Sequence, residues 1–313
     1  MSGPVPGAPG RPDVGPPGLS RHDVPSGLPA RIETPRPGDP RLVRLSLNQR
    51  TVAGWSLAEA VAGTIKAGLG SIGVWREPLA DIGLSAGKKL LDDSGLRVSS
   101  LCRGGFFTDP ATFAAAIDDN RVAIDEAAAL GAPTLVLVAG GLPDGDRDIA
   151  GARSRVADAI AELAPYAHER GVTLGIEPMH PIFAADRGVI STLEQALDIA
   201  ERFDASDVGV VVDSFHVWWE PDVLAQIARA GGRIVSYQVC DWITPFPSDA
   251  LLSRGMMGDG HVDFAALTAA VSAAGYTGDV EVEIFNADVW AADGDQVLAT
   301  MARRYVELVQ PYL

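Results

Sequence analysis

The chain alternates eight times between a short apolar run and a longer helical stretch, and this repeat restricts its fold more than any other feature. Runs such as TLVLV and VGVVVD are almost continuous in Val and Leu, which is typical of parallel strands buried on both faces. The predicted strands are Leu42–Leu47, Ser71–Trp75, Val98–Cys102, Thr134–Ala139, Thr173–Glu177, Val208–Asp213, Ile234–Cys240 and Val280–Phe285.

Between these strands, apolar residues recur at three- and four-residue spacing, which predicts amphipathic helices. Ser56, Ser191 and Asp263 stand where helix N-caps belong, and Gly131 and Gly171 stand just past helix ends. An open doubly wound sheet rarely needs eight strict repeats, so the pattern favours closure of the sheet. The sequence therefore predicts the α/β class, with a single closed (β/α)₈ TIM barrel.

Residues 1–40 differ in composition from everything that follows. They hold 11 of the 22 prolines and seven glycines, with few large apolar residues. Such a segment buries too little surface to offset its ordering entropy, so we expect a disordered tail. The barrel, which we expect to be the catalytic domain, would then occupy residues 41–313.

Charge and apolar content argue against two classes of partner. The net charge is −16, with 41 acidic against 25 basic residues, whereas a nucleic-acid surface needs a basic stripe. No apolar run reaches the roughly 20 residues of a membrane span. Two cysteines, Cys102 and Cys240, give no disulfide framework. Since the N-terminus also lacks the apolar core of a secretory signal, we expect a cytoplasmic location.

Polar residues end four consecutive predicted strands. Strands five and six end at Glu177 and Asp213, strand seven carries Gln238, and strand eight carries Glu283. A lone carboxylate at a strand end is often a helix cap or a surface ion pair. Three of them around one barrel mouth would repel one another unless a cation lay between them. The pattern predicts one divalent ion at these four residues, and an all-oxygen set suits Mn²⁺ or Mg²⁺ better than Zn²⁺.

Two ligand assignments stay open at this point. Gln238 could orient a ligand without binding the metal. Glu281 and Glu283 share one face of strand eight because side chains alternate along a strand. Glu283 lies nearer the carboxyl end and is the better candidate, while Glu281 remains the alternative.

Five motifs carry a resemblance to a known family, and together they extend over about Leu42–Val309. The chain resembles the xylose-isomerase-like superfamily of sugar isomerases and epimerases, which implies the same four metal ligands. Many relatives have His where Gln238 stands, and Gln there resembles the hydroxypyruvate isomerase and dehydroshikimate dehydratase branches. The motifs are IEPMHP at Ile176–Pro181, VVDSFHVWW at Val211–Trp219, Gln238, RGMMGDG at Arg254–Gly260 and VEIF at Val282–Phe285.

The resemblance also implies roles in proton transfer. Glu177 and Glu283 would serve as acid and base on the two faces of the reacting carbon, because a metal-polarised hydroxy-ketone has an acidic C–H. His216 and Arg254 would hold substrate oxygens, and the glycines around Arg254 would let its loop fold over a ligand. Trp75, at the end of strand two, would either stack on a sugar face or serve as plain loop packing.

The longer motifs are similar to a narrower subgroup, the α-subunits of C-glycoside deglycosidases. That resemblance implies elimination from a 3-oxo-glycoside, with His180 as a candidate base, although an exposed loop histidine is an equal alternative. It also implies a small β-sandwich partner subunit, and a homo-oligomer is left open as well.

The expected function is that of a metal-dependent isomerase or epimerase of an unphosphorylated sugar or keto-sugar. The segment that follows Glu283 is acidic, not the glycine-rich loop of many phosphate-binding barrels. The alternatives are a lyase on 3-oxo-glycosides and a keto-cyclitol dehydratase. A nuclease of the same barrel type is disfavoured because the chain has five histidines and strong negative charge. A non-catalytic binding barrel would leave three clustered carboxylates without a use.

Overall fold

Eight parallel strands pair side by side until the sheet closes on itself, which confirms the predicted (β/α)₈ barrel. Each strand pairs with its neighbours in sequence, and β8 returns to β1 with Ser46 opposite Glu281. The strands are β1 Leu45–Asn48, β2 Ser71–Trp75, β3 Arg97–Gly105, β4 Thr134–Val138, β5 Thr173–Glu177, β6 Val208–Asp213, β7 Ile234–Val239 and β8 Val280–Val282.

The computed structural model describes residues 32–313. Residues 1–31, most of the predicted disordered tail, lie outside the described residues. Within the described part, Ile32 packs against the core and Pro35 is buried. The predicted domain boundary at residue 41 stays a prediction.

Several strand boundaries differ from those predicted, and β8 ends at Val282 instead of Phe285. β1 begins at Leu45 instead of Leu42, because Pro40–Leu42 form a 3₁₀ helix that the Asp39 side chain caps. β3 extends past Cys102 to Gly105, with a register shift against β4. Arg103 therefore belongs to a strand.

Helices cover the outside of the barrel, and their ends carry the expected caps. Ser56 and Glu59 form a capping box at α1, and Asp263 caps α9. Thr192, and not the predicted Ser191, caps α6 through its hydroxyl. The helices are α1 Leu57–Lys66, α2 Arg76–Ile82, α3 Leu84–Ser94, α4 Phe113–Leu130, α5 Ile149–Arg170, α6 Leu193–Ala200, α7 Ser214–Val217, α8 Val223–Ala230, α9 Phe264–Ala273, α10 Ala287–Ala291 and α11 Gly294–Leu308.

Two apolar cores result from this arrangement. The larger lies between strands and helices and takes every second strand residue, such as Leu135 and Leu137 of β4. The smaller lies inside the barrel and consists of Trp75, Cys102, Val136 and Val211 with Phe285 packed against them. The barrel interior beside this small core holds polar side chains.

The connection from β7 to α9 is more ordered than a long loop. Asp241–Trp242 and Arg254–Gly255 pair as two short antiparallel strands, which we call the hairpin. In residues 32–313, no helix has both the length and the apolar character that crossing a membrane requires.

Candidate functional site

A cavity of about 420 Å³ opens at the carboxyl ends of the strands. Glu177, Glu283, His216, Arg254 and Trp75 all line it. Two more of the residues predicted for this site, Asp213 and Gln238, are fully buried and do not line it. They are neighbours across the β6–β7 ladder. The fold thus brings the four predicted metal ligands to one end of the barrel.

The three carboxylates lie in an environment that disfavours their charge. Burial, followed by Glu283 and Asp213, raises the pKa of Glu177 well above its usual range. Burial also raises the pKa of Asp213, against the opposing effect of Arg254. Burial raises the pKa of Glu283 to about 7, although Arg254 again lowers it. The cluster is therefore short of positive charge.

Arg254 supplies part of that charge from the floor of the cavity. Its Nη1 lies 2.6 Å from Oδ2 of Asp213 and 3.1 Å from Oε2 of Glu283. Among the described residues, Arg254 is the one arginine in direct contact with these carboxylates, and it pairs with Asp213 and Glu283.

The hairpin explains how a residue so distant in sequence reaches this floor. Arg254 stands opposite Trp242, and both oxygens of Asp241 accept backbone N–H groups of the returning chain, from Gly258 and Val262. Met257 is buried there. Hydrogen bonds and packing hold this segment, and the expectation that the surrounding glycines let it fold over a ligand stays a prediction.

His216 borders the same floor, next to Arg254. Its Nδ1 accepts the backbone N–H of His180 at 3.1 Å. Burial, with Arg254 adding to it, lowers the pKa of His216 well below its usual range. Nη2 of Arg254, which can only donate, lies 3.0 Å from Nε2 of His216. His216 and Arg254 thus form one polar group at the floor of the cavity.

Gln238 is the least satisfied side chain of the cluster. It is completely buried, and neither its Oε1 nor its Nε2 has a hydrogen-bond partner among the described residues. Buried amides nearly always have partners, because an unpaired one costs about 1–3 kcal/mol. The orphaned oxygen is an appropriate ligand for a divalent ion.

The donor set fits such an ion. Ligand atoms of Glu177, Asp213 and His216 all lie within 4.8 Å of one another. The sequence predicted His216 as a substrate contact, and its ring nitrogen adds a possible ligand to this group. The remaining donors are oxygens of carboxylates and an amide, which favours Mn²⁺ or Mg²⁺.

Glu281 lies one layer deeper and is already bonded. Asn48 Nδ2 donates to its Oε2 at 3.1 Å, and the hydroxyls of Ser99 and Ser100 add hydrogen bonds. Gly73 leaves room for this carboxylate, since a Cβ there would overlap Oε2 of Glu281. These contacts favour Glu283 over Glu281 as the ligand.

His180 has a different environment from the other predicted site residues. Its ring packs between Trp219 and Trp242, with centroids at 5.2 and 4.5 Å, and its Nδ1 accepts the N–H of Ile182 at 3.2 Å. Burial lowers its pKa to about 4. It is not among the residues that line the cavity, and its role as a base stays a prediction.

Trp75 forms one wall of the cavity, and its indole is held in place. Nε1 donates to Oδ1 of Asn48 at 2.8 Å, and the ring meets Phe285 edge-on at 5.7 Å. Asn48 thus links the buried Glu281 to this wall.

Three arginines that line the cavity were not predicted: Arg50, Arg103 and Arg187. Arg50 follows β1 by two residues, and Arg103 lies near the end of β3. A search for cations, and not only for ligands, at strand ends would have found both.

Comparison with known proteins places the chain in a family. The sequence profile described as xylose isomerase-like TIM barrel matches residues 61–304. Inosose isomerase of Bacillus subtilis (strain 168) is 26% identical over 158 residues, 50% of this chain and 55% of that protein. L-ribulose 3-epimerase of Methylomonas sp. (strain DH-1) is 26% identical over 247 residues, 75% and 82% of the two chains. The 3-dehydroshikimate dehydratase of Pseudomonas aeruginosa is 30% identical over 150 residues, 44% and 22%. The chain thus spans about half the length of the inosose isomerase and less of the dehydratase.

Two solved structures extend the comparison. A protein of Sinorhizobium meliloti 1021 is 47% identical, with a TM-score of 0.82 over 85% of this chain and 98% of that one. The IOLI protein, solved with a zinc atom bound, is 22% identical, with a TM-score of 0.76 over 87% and 99%. At that identity the second match shows the shared fold alone.

Proposed function

The chain belongs to the xylose isomerase-like TIM barrel family, and we propose that its barrel is a divalent-metal-dependent sugar isomerase or epimerase. The substrate would be a sugar or hydroxy-ketone that loses a proton from the carbon next to its carbonyl. One observation carries the proposal: Glu177 and Glu283 line one cavity, next to an aspartate and an orphaned amide. The inosose isomerase and L-ribulose 3-epimerase relatives support the reaction class.

Glu177, Asp213, Gln238 and Glu283 would hold the metal, Mn²⁺ or Mg²⁺. When bound, the ion would supply charge that draws electrons from the substrate carbonyl and acidifies the adjacent C–H. The zinc atom of the IOLI protein is consistent with a divalent ion in barrels of this fold.

The chain's own residues then move the proton. One of the two glutamates takes it from carbon, and the C–H electron pair enters the substrate's enediolate. Return of a proton from the other glutamate to the opposite face inverts the centre, whereas return to the neighbouring carbon moves the carbonyl. Nη2 of Arg254 would donate to the developing oxyanion, and His216, whose Nε2 lies 3.0 Å from that nitrogen, would bind the substrate beside it.

A second candidate is a lyase, with a keto-cyclitol dehydratase as its nearest form. The 30% identity to 3-dehydroshikimate dehydratase supports it. The same proton abstraction would then be followed by loss of a β-hydroxyl or by cleavage of a glycosidic bond, with His180 as the candidate base.

Metal content and carbon-bound proton exchange test the proposal together. We expect about one equivalent of divalent metal in the purified protein and little in Asp213→Ala, by elemental analysis. In D₂O, the Mn²⁺-loaded protein should incorporate deuterium next to the carbonyl of a ketohexose such as D-fructose. Recovery of a sugar isomer supports the isomerase, and release of water or an aglycone from a keto-cyclitol or 3-oxo-glycoside supports the lyase. A metal-free protein with full turnover would overturn both.

A further inference from the structure

Three arginines that the proposed reaction does not use gather at the mouth of the cavity. Arg50, Arg103 and Arg187 all line it. Apart from the two catalytic glutamates, Asp249 is the one acidic residue among the lining residues, and its Oδ1 already accepts the N–H of Leu251. The mouth is therefore cationic in a chain whose net charge is −16.

The partners of these arginines are weak. Arg50 and Arg103 share Glu77 at 3.5 and 3.9 Å, and Nε of Arg187 lies 3.6 Å from Asp186. Charge-assisted hydrogen bonds are usually about 2.7–2.9 Å long. Moreover, Nε of Arg50 and Nε of Arg187 are buried and have no hydrogen-bond partner in residues 32–313.

Two arginines away from the cavity are paired more tightly. Arg76 lies 2.8 and 2.6 Å from Asp119 and Glu126, and Arg229 reaches its two carboxylates at 2.8 and 2.7 Å. Acidic residues outnumber basic ones, so carboxylates are not scarce. The arginines at the mouth have longer contacts to carboxylates than these two.

Aromatic rings hold two of the three guanidinium groups in place. Arg50 stacks on Trp75 at 4.2 Å, and Arg103 stacks on Phe106 at 4.3 Å. Burial lowers the pKa of Arg103, and the nearby Arg187 and Arg50 lower it further. Three like charges kept this close without strong counter-ions form a preorganised anion site.

We propose that the substrate carries a carboxylate, which Arg50, Arg103 and Arg187 bind while its hydroxy-ketone end meets Glu177 and Glu283. The placement of the hydroxy-ketone end at the two glutamates rests on the proposed function. All the cationic donors are planar guanidinium forks, which match a carboxylate. None of the lining residues is a glycine whose backbone N–H could cradle a phosphate.

Three ligands with the same hydroxy-ketone end test the proposal: D-fructose, D-fructuronate and D-fructose 6-phosphate. Binding to the full Mn²⁺-loaded chain is measured by isothermal titration calorimetry. We expect D-fructuronate to bind at least about tenfold more tightly than D-fructose, equivalent to about 1.4 kcal/mol. The preference should fall below about threefold in the double variant Arg103→Gln/Arg187→Gln. It should persist in Arg121→Gln, which removes an arginine on α4 that pairs with Asp118 and Glu162.

Three results would contradict the proposal. Equal binding of fructose and fructuronate to the wild type, or a preference that survives in the double variant, removes the subsite. If D-fructose 6-phosphate binds more tightly than D-fructuronate, the group that the arginines bind is a phosphate and not a carboxylate. Thermal unfolding and metal content of the double variant must match the wild type. An arginine-dependent preference in a protein without metal or proton exchange supports the subsite and overturns only the proposed reaction.

Discussion

Two glutamates at the end of β8 have different environments, although they are two residues apart. Glu281 and Glu283 both point into the barrel and are both almost fully buried, with 1% and 4% of their surface exposed. Glu281 is enclosed by hydrogen-bond donors from Asn48, Ser99 and Ser100. Glu283 borders the cavity and shares a single arginine with Asp213. Burial alone therefore does not distinguish a ligand-binding carboxylate from a structural one, whereas a lack of hydrogen-bond partners does.

Glu281 and its hydrogen-bond partners form a lower layer of the barrel interior, and Glu177, Asp213, Gln238 and Glu283 form an upper layer next to the cavity. The two layers also differ in how their space is filled. The glycine at position 73 opens room for the Glu281 carboxylate, so the lower layer is closed around its charge. The upper layer contains the unpaired amide of Gln238 and opens to about 420 Å³ of cavity. The contacts of the lower layer stabilise the barrel. The unpaired groups of the upper layer lower the stability of the fold but stay available to bind a ligand.

Neutralising each glutamate in turn should produce the largest contrast. In Glu283→Gln we expect kcat/KM to fall by about 10²–10⁴-fold, the usual contribution of a general acid or base. In Glu281→Gln we expect a change of less than about tenfold, because the amide still accepts hydrogen bonds and serine hydroxyls can rotate to suit it. Steady-state kinetics on the ketose identified by D₂O exchange measure both. Equal losses in the two variants would contradict the division into layers.

Much of this contrast could be predicted from the sequence. Runs such as TLVLV predict strands buried on both faces, and the carboxylates that end β5 and β6 necessarily meet at one end of a closed barrel. Glu177, Asp213, Gln238 and Glu283 therefore lie at one end of the barrel, and their role as metal ligands stays a prediction. Alternation along VEVEIF placed Glu281 and Glu283 on one face, and only the position of Glu283 nearer the carboxyl end favoured it as the ligand.

The stabilisation that a bound metal provides should distinguish the two layers by a smaller effect. Saturating Mn²⁺, at about 100 times its Kd, stabilises a protein with one site by about 2.7 kcal/mol. We expect Mn²⁺ to raise the unfolding temperature of the wild type and of Glu281→Gln, but not that of Asp213→Ala. Differential scanning fluorimetry with Mn²⁺ or with EDTA measures it. A shift that disappears in Glu281→Gln would move the metal to the lower layer.

Other parts of the site depend on contacts that sequence patterns do not contain. The motif RGMMGDG suggested a mobile flap, yet Arg254 reaches the floor because Asp241 accepts two backbone N–H groups of that segment. Likewise, the resemblance made His180 a candidate base, and the structure places its ring between two tryptophans that come from other connections. Such positions are set by long-range packing, which neither local periodicity nor spacing encodes.

In the metal-free protein, substitutions in the two layers should change the free energy of unfolding in opposite directions. Gln238→Met replaces an amide that has no partner with an apolar side chain of similar length. We expect it to raise the free energy of unfolding by about 1 kcal/mol in EDTA, since removing an unpaired buried polar group relieves its desolvation penalty. Asn48→Leu removes the donor to Glu281 and the acceptor for Trp75, and should lower it by about 1–3 kcal/mol. Urea titrations in EDTA measure both values. A Gln238→Met protein less stable than the wild type would mean that the amide has partners in solution, such as ordered water, and that the upper layer is as well satisfied as the lower one.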